Sequence, residues 1–581
     1  MILTAIDSLL LLYITAGLGI LMLALLQKIF RQPVEANILG VVLAGLMSST
    51  VYFNLVSFWL PVNYVTLIPL FALSSFIFLK NKKGTAQFLS SIKKRARFIF
   101  ARANLWFTIP VLALLFAYWI VPPINIDSSG YHYATIEWYE KYKAVPGLAN
   151  VHGRYAFNAA AFIIQSAYSF TGLTGQALYP LNGVITALFL LWLLTRVLKN
   201  KNTALGFAYY LLFFFLGRIT LLNISSPSSD ALVIICLSYA IIKYFDVLIA
   251  KNISVQFILL PFLLVLYAVV AKLSAFPALL TIPFILYLLK KQERIFPFVI
   301  RVCIICLPLY VTWFCRNIIL SGYLVYPLPY IDIFNFDWKA PKDVLMMDYI
   351  NIQNAPKLLI NNVSLKTNPF PGWVLPWLAA RAKKDYFADV LFLLMALSSP
   401  LYWIIIYIKR KKISAPVFVL WLLVYAAVWM WFINSPEFRF GAIFISFAIM
   451  LPFLFLAVTG LQKSYSFMRI ALIGILLVSV TYYTRKVFTQ DTTYAFSLKD
   501  CWLYPLKDKH YYLHNNKADF KYVLLNTGVK LYMADSVHDC LNVAQPCMVW
   551  DYGTIEMRGN KMQDGFRNVK DEVGKNYPYV R

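Results

Sequence analysis

Residues 122–132 read Pro-Pro-Ile-Asn-Ile-Asp-Ser-Ser-Gly-Tyr-His, which puts one carboxylate, Asp127, where an apolar run gives way to polar chain. An acid at that depth can take a proton from a water-borne hydroxyl while a lipid-tailed substrate lies beside it. It also escapes the roughly 2.5 to 3.5 kcal/mol that insertion scales assign to an acid at mid-span. Such a general base contributes typically about 10² to 10⁴ in rate. The plainer role is a helix cap or loop solvator, since Ser128, Ser129 and Gly130 favour a turn in either case. Glu137 and Glu140, in a short helical stretch from Tyr133 to Tyr142, and His132 are second-rank candidates for an acceptor or metal contact.

A second set is cationic. Arg218, Lys272, Arg316 and Arg439 each stand at the outward end of an apolar run, where the positive-inside rule does not expect basic residues. Four cations at one membrane depth suit the phosphate of a lipid carrier, with arginine able to bind it bidentately. Snorkelling of long basic side chains to the interface produces the same pattern without a ligand. Glu437 is placed to pair with Arg439, and Asp230 to cap the apolar run it opens.

These side chains need a membrane scaffold. With 60% hydrophobic and 14% charged residues over 581 positions, the chain has too few polar groups to clothe a soluble globule. Only a helix satisfies its own backbone in lipid, so apolar runs of about 17 to 25 residues mark spans. Fourteen such runs are expected, at 3–27, 37–58, 62–80, 105–121, 176–197, 204–222, 231–250, 255–271, 275–290, 297–315, 388–407, 415–433, 440–461 and 467–484. The first lacks a basic leader and a cleavage site and reads as a retained span.

Short basic loops stay cytoplasmic, and Lys28 with Arg31, the cluster from Lys80 to Arg97, Arg196 to Lys201, Lys290-Lys291 and Lys409 to Lys412 all fall on one side. Both termini and the loop carrying Asp127 are then expected to be extracytoplasmic. The formal charge of +27 is partly topological, and no nucleic-acid-binding signature accompanies it. The outward pieces are residues 122–175, 316–387 and 485–581. The first ends in residues 156–171, whose Asn158, Gln165 and Ser169 recur at helical spacing as in an amphipathic helix lying in the interface.

In the last piece, residues 522–533 read as strand, turn and strand, consistent with a small α+β unit. Cys540 and Cys547, with six residues between them, are a disulfide candidate if that side is oxidising, which leaves Cys501 over. His510 and His514 stand four apart, and no finger-like zinc spacing accompanies them. No nucleotide-binding loop, dinucleotide fingerprint or serine nucleophile elbow is present. An activated lipid-linked sugar carries its own leaving group and requires only positioning, a base and charge stabilisation. Trp338, Trp373 and Trp377 in residues 316–387 offer faces for a sugar or, equally, an interfacial aromatic belt.

An acid in the first large outer loop, an interfacial helix behind it and basic residues at outer helix ends together resemble the GT-C glycosyltransferase superfamily. The resemblance covers residues 105–484, with residues 1–104 as three additional spans and a basic loop. The chain is also similar to an uncharacterised family of large bacterial multi-spanning membrane proteins. That similarity rests on Asp127 with Tyr131-His132, Lys272-Leu273-Ser274, Arg316-Asn317 with Ser321-Gly322-Tyr323, and Pro436 with Arg439-Phe440. It continues through Asp539-Cys540, Pro546-Cys547, Met557-Arg558-Gly559 and Gly565-Phe566-Arg567.

The resemblance implies an all-α polytopic enzyme that moves a sugar from a polyprenyl-phosphate donor to a periplasmic glycan or lipid acceptor. Asp127 would be the base, and Lys272 and Arg439 would hold the carrier phosphate. It also brings in a divalent metal, Mg or Mn. Many members have a second acid directly after the first, where this chain has Ser128, which weakens a paired-acid metal site. A transporter or flippase of lipid-linked saccharides is the competing expectation, and a polysaccharide polymerase or ligase the nearer one. Transporters tend to carry charges near mid-membrane, whereas here the notable charges cluster at one face, with Lys243 and Asp246 inside a span left unexplained.

Overall fold

The computed structural model describes residues 1–120, 123, 125, 127–357, 370–382, 387–410, 413–460, 470, 473–474, 477–481, 521–533, 540, 545–548 and 553–569. Helices dominate. The first, α1 (Ile2–Phe30) and α2 (Ile38–Val56), pack so closely that a Cβ on Gly19 would lie 2.0 Å from the Val41 carbonyl oxygen. One on Gly45 would lie 1.8 Å from that of Thr15. Small residues at such a crossing let two apolar helices meet backbone to backbone.

Next come α3 (Leu67–Lys80), α4 (Lys82–Ile99) and α5 (Leu105–Ile120). The chain bends by 96° between α3 and α4, where the Asn81 side chain accepts from the Gly84 amide and caps α4. The basic cluster read as a loop in the sequence is therefore a helix, amphipathic and turned across the end of the bundle.

The chain continues through α6 (Tyr133–Lys141), α7 (Ala160–Ala167) and α8 (Thr171–Thr174) into the central spans. These are α9 (Pro180–Lys199), α10 (Ala204–Leu222), α11 (Asp230–Ala250) and α12 (Val255–Ala271). After α13 (Thr281–Leu289) and the long α14 (Ile295–Ser321) come α15 (Lys342–Asn354), α16 (Val374–Arg381), α17 (Phe387–Leu397) and α18 (Ser399–Arg410). The last helices are α19 (Ala415–Asn434) and α20 (Phe438–Gly460).

Among the described residues, eight helices are long and apolar enough to cross a membrane, or up to ten if the bent pairs at 64–99 and 387–409 each count as one span. The expectation of fourteen is not reached. Helix α5 has 16 residues, α12 has 17 and the 273–289 stretch is equally short, while most of 467–484 lies outside the described residues.

Helices α11 and α20 are the most enclosed and form the centre with α9, α10 and α12. At one end of this centre lies a layer built from residues 127–178 and 316–354. Every residue of α7 is buried within it, against α2, α6 and α9. The expected interfacial amphipathic helix is thus an internal one, enclosed by α2, α6 and α9. Trp373 and Trp377 are buried against Phe432, with Trp377 Nε1 donating to the Pro356 carbonyl at 2.9 Å. Their faces are covered by protein and unavailable to a sugar.

The tail supplies strands β1 (Lys521–Leu524), β2 (Lys530–Met533), β3 (Cys547–Met548), β4 (Ile555–Met557) and β5 (Phe566–Asn568). Strands β1 and β2 pair antiparallel with Tyr522 opposite Tyr532, and β3 adds in parallel beside β2. Strands β4 and β5 form a separate antiparallel pair. The unit docks on the loop layer. The Phe566 amide donates to the Pro146 carbonyl at 2.9 Å, Trp138 meets the Phe566 ring edge-on, and Tyr155 Oη donates to the Cys547 carbonyl.

Candidate functional site

Asp127 opens a π-helical turn, Ser128–His132, that runs into α6. Such turns recur at functional sites because the extra residue redirects a side chain out of helical register. The turn is held from both sides. Asn125 Oδ1 accepts from the Asp127 amide at 3.1 Å, and the Ser128 and Ser226 hydroxyls share a hydrogen bond of 2.7 Å. The 223–229 loop is fixed in turn by Asn182 on α9, whose Nδ2 donates to the Ser226 and Ser228 carbonyls at 2.7 Å each. Within it, Ser228 Oγ accepts from the Asp230 amide at 3.0 Å, which delivers that carboxylate at the start of α11.

Three cations close on these two acids. Arg439, at the start of α20, places Nη1 2.5 Å from Asp127 Oδ2 and 4.0 Å from Asp230 Oδ2. Lys272, at the end of α12, pairs with Asp230 and lies 4.4 Å from the Phe440 ring centre. Arg154, from the loop layer, stands 3.8 Å from Asp127 Oδ1 and stacks over Tyr131. The carboxylates are the sheltered members, 15% and 4% exposed, whereas Arg154, Arg439 and Lys272 keep 29%, 30% and 22% of their side-chain surface. The arrangement is a floor of two acids under a rim of three cations, with one positive charge in excess.

Burial pushes the Asp127 carboxyl up, but Arg439 and Arg154 outweigh it and hold it well below the usual carboxylate range. His132 packs on Phe162 behind the turn, and burial brings its imidazole down to about 3, so the ring is neutral at ordinary pH. Its Nδ1 is buried without a hydrogen-bond partner among the described residues.

The four cations singled out in the sequence divide two and two. Lys272 and Arg439 join Asp127. Arg218 does not, because Asp389 on α17 takes its guanidinium at 2.8 Å between the rings of Phe392 and Phe438. Arg316 is buried, donates to Asn158 Oδ1 at 2.7 Å and Ser57 Oγ at 3.1 Å, and stacks 3.8 Å over Tyr139. It fastens α14 to α2 and the loop layer. Glu137 is on the outer side of α6, 2.5 Å from Lys141, and is not brought to Asp127. Glu437 divides between Arg381 at 3.2 Å and Arg439 at 3.9 Å.

Arg154 and Asp230 are the members that sequence reasoning missed or undervalued. Asp230 carried a signal, an acid opening an apolar run after Ser-Pro-Ser-Ser, whereas Arg154 carried none beyond lying in the same loop as Asp127. At the other end of the bundle, Asp246 is matched by Arg196, whose Nη1 donates to Asp246 Oδ1 at 2.9 Å and to the Tyr209 hydroxyl at 2.8 Å. Cys540 and Cys547 are disulfide-bonded, while Cys501, His510 and His514 lie outside the described residues. Among the described residues, no group of three or more His, Cys, Asp or Glu converges as metal ligands.

A family model described as "Domain of unknown function (DUF8201)" matches residues 1–446. No curated protein and no solved structure matches the chain.

Proposed function

That match takes in well over half of the chain, so the protein belongs to the DUF8201 family, and we propose that it is a GT-C-like membrane glycosyltransferase. In this proposal it moves a sugar from a polyprenyl-phosphate donor to a glycan or lipid acceptor on the periplasmic face of a bacterial inner membrane. The observation that carries the reading is the partly exposed cationic rim of Arg439, Lys272 and Arg154 over the sheltered Asp127, at one end of an apolar bundle.

As it stands, Asp127 is a weak base, because two guanidiniums favour its charged form. A donor phosphate bound at Arg439 and Lys272 competes for those cations. As they turn to it, the carboxyl rises toward its ordinary range and gains basicity. The acceptor hydroxyl then gives its proton to Asp127 as its oxygen bonds to the anomeric carbon. The bond from that carbon to the phosphate oxygen breaks, and the polyprenyl phosphate leaves with its charge stabilised by the cationic rim. His132 contributes as a neutral wall behind the turn.

The Cys540–Cys547 disulfide supports an oxidising side for the docked tail, and with it for Asp127. The basic helix α4 contacts α9, whose Arg196 end is the opposite end of the bundle, and this supports a cytoplasmic assignment there.

The test is transfer in membranes with labelled polyprenyl-phosphate sugar, comparing the parent with Asp127→Asn. The variant is expected to lose about 10² to 10⁴ in rate. Full activity would remove the base assignment, and movement of unchanged substrate across the bilayer without transfer would make the protein a transporter.

A further inference from the structure

Helix α4 lies at the end of the bundle away from Asp127 and takes no part in that site. Residues 80–103 around it carry eight Lys and Arg and no acid. At about 100° per residue, Phe88 and Ile99 fall on one side of the helix and Ile92 and Leu89 beside them. Lys82, Lys93, Arg97, Lys83 and Lys94 then follow in that order around the axis.

Each side has a different neighbour. Phe88 packs on the cluster of Ile20, Val41 and Ile77, and Ile99 is buried, so that side faces the bundle. Leu89 and Ile92 are exposed. So are the five cations, and none of them meets an acid among the described residues. The helix is held in this attitude at both ends. Thr85 Oγ1 donates to the Phe78 carbonyl at 3.2 Å across the 96° bend from α3. Past the far end, Asn104 Nδ2 and Thr108 Oγ1 donate to the Phe98 and Ile99 carbonyls at 2.8 Å each.

What covers the outer side follows from α3. That helix runs parallel to α1, with Gly17 against Ser74 and Ile20 clustered with Ile77, so it stands at membrane depth beside a helix long enough to cross. Its Ile68, Phe71, Phe76 and Leu79 are exposed, an apolar surface for lipid to cover. Asn81 alone separates α3 from α4, so the bilayer that covers Leu79 ends within a turn of Lys82. The bend then lays α4 along the surface of that bilayer.

We propose that α4 lies in the head-group layer and binds the phosphates of anionic lipids through Lys82, Lys83, Lys93, Lys94 and Arg97, with Leu89 and Ile92 set into the acyl boundary. A nucleic acid would match the charge but leave Leu89 and Ile92 in water. A neutral bilayer would cover those two and leave five cations without counter-charge. A bilayer bearing anionic lipid satisfies both sides of the helix. Because α4 touches α2, α3 and α9, lipid bound to it braces that end of the bundle.

The experiment is thermal unfolding of the full chain in nanodiscs of phosphatidylcholine, alone or with about 30% phosphatidylglycerol. The parent is expected to melt at least about 2 °C higher in the anionic discs, because a ligand that binds only the folded state raises the melting temperature. Raised salt should shrink the difference. The combined variant Lys93→Gln, Lys94→Gln and Arg97→Gln is expected to lose at least half of it, whereas Lys290→Gln with Lys291→Gln, in another basic loop, keeps it. Equal melting of the parent in the two discs overturns the proposal, and a rise in neutral discs on adding a short RNA would then assign the face to nucleic acid. The full shift retained in the combined variant overturns it as well. Should that variant fail to fold, slower hydrogen exchange over residues 82–99 of the parent in anionic than in neutral discs supports the proposal, and equal exchange refutes it.

Discussion

Arg439 is the residue on which the Asp127 site turns, because its guanidinium meets Asp127 at 2.5 Å and reaches Asp230 at 4.0 Å. In the proposed mechanism it must release one acid to receive a phosphate, so its geometry matters more than its charge alone. Arg439→Lys keeps the charge but loses the fork, and is expected to weaken polyprenyl-phosphate binding by about tenfold, or about 1.4 kcal/mol. Arg439→Gln should cost more. Affinity measured by titration into nanodiscs checks this, and unchanged binding in both variants would exclude Arg439 from the phosphate site. Asp127, Lys272 and Arg439 were legible because each is a charge at the end of an apolar run. Arg218 and Arg316 satisfied the same criterion and do something else. What separates the pairs is the partner, Asp389 for one and Asn158 with Tyr139 for the other, and no local pattern encodes a partner more than a hundred residues away.

Helices were easier to read than the layer that covers them. An apolar run long enough to span must be helical in lipid, so all fourteen expected segments contain described helical residues, although several are too short, too bent or too sparsely described to count as spans alone. Helix α7 went the other way. Its polar spacing looked like a water-facing side, yet it is internal, because periodicity reports which residues share a face and not what covers that face. The same layer buries Asp348 of α15, which accepts from the Tyr326 hydroxyl at 2.6 Å. Burial raises the Asp348 carboxyl to about 6. The folded state therefore holds this proton more tightly than the unfolded chain does, and between about pH 4 and 6 the group's contribution to stability falls as pH rises. Asp348→Asn should remove that contribution, so the melting-temperature difference between variant and parent should grow in the variant's favour from pH 4 to 7. A difference independent of pH would contradict the assignment.

Across the whole molecule, the tail and the loop layer behave as one structure over the bundle. Phe566 is buried, its amide bonds to Pro146 and its ring abuts Trp138, while Arg558 reaches Asp337 at 2.8 Å. Phe566→Ala should cost about 3 to 5 kcal/mol of local stability and undock the tail without unfolding the spans. Limited proteolysis is expected to cut the variant after the last span while leaving a membrane-embedded core, and a cleavage pattern identical to the parent's would show that docking does not depend on Phe566. Composition and apolar run length were enough to decide that the chain lives in a membrane as helices, and the local pattern of residues 522–533 that they are strand, turn and strand. Those properties follow from backbone hydrogen bonding in lipid and from local turn chemistry, which neighbouring residues carry. The tertiary structure alone decided which charges face one another. Asp127, Arg154, Asp230, Lys272 and Arg439 come from separate loops and helix ends, and only the packing of α9, α11, α12 and α20 under the loop layer sets the distances at which their charges act.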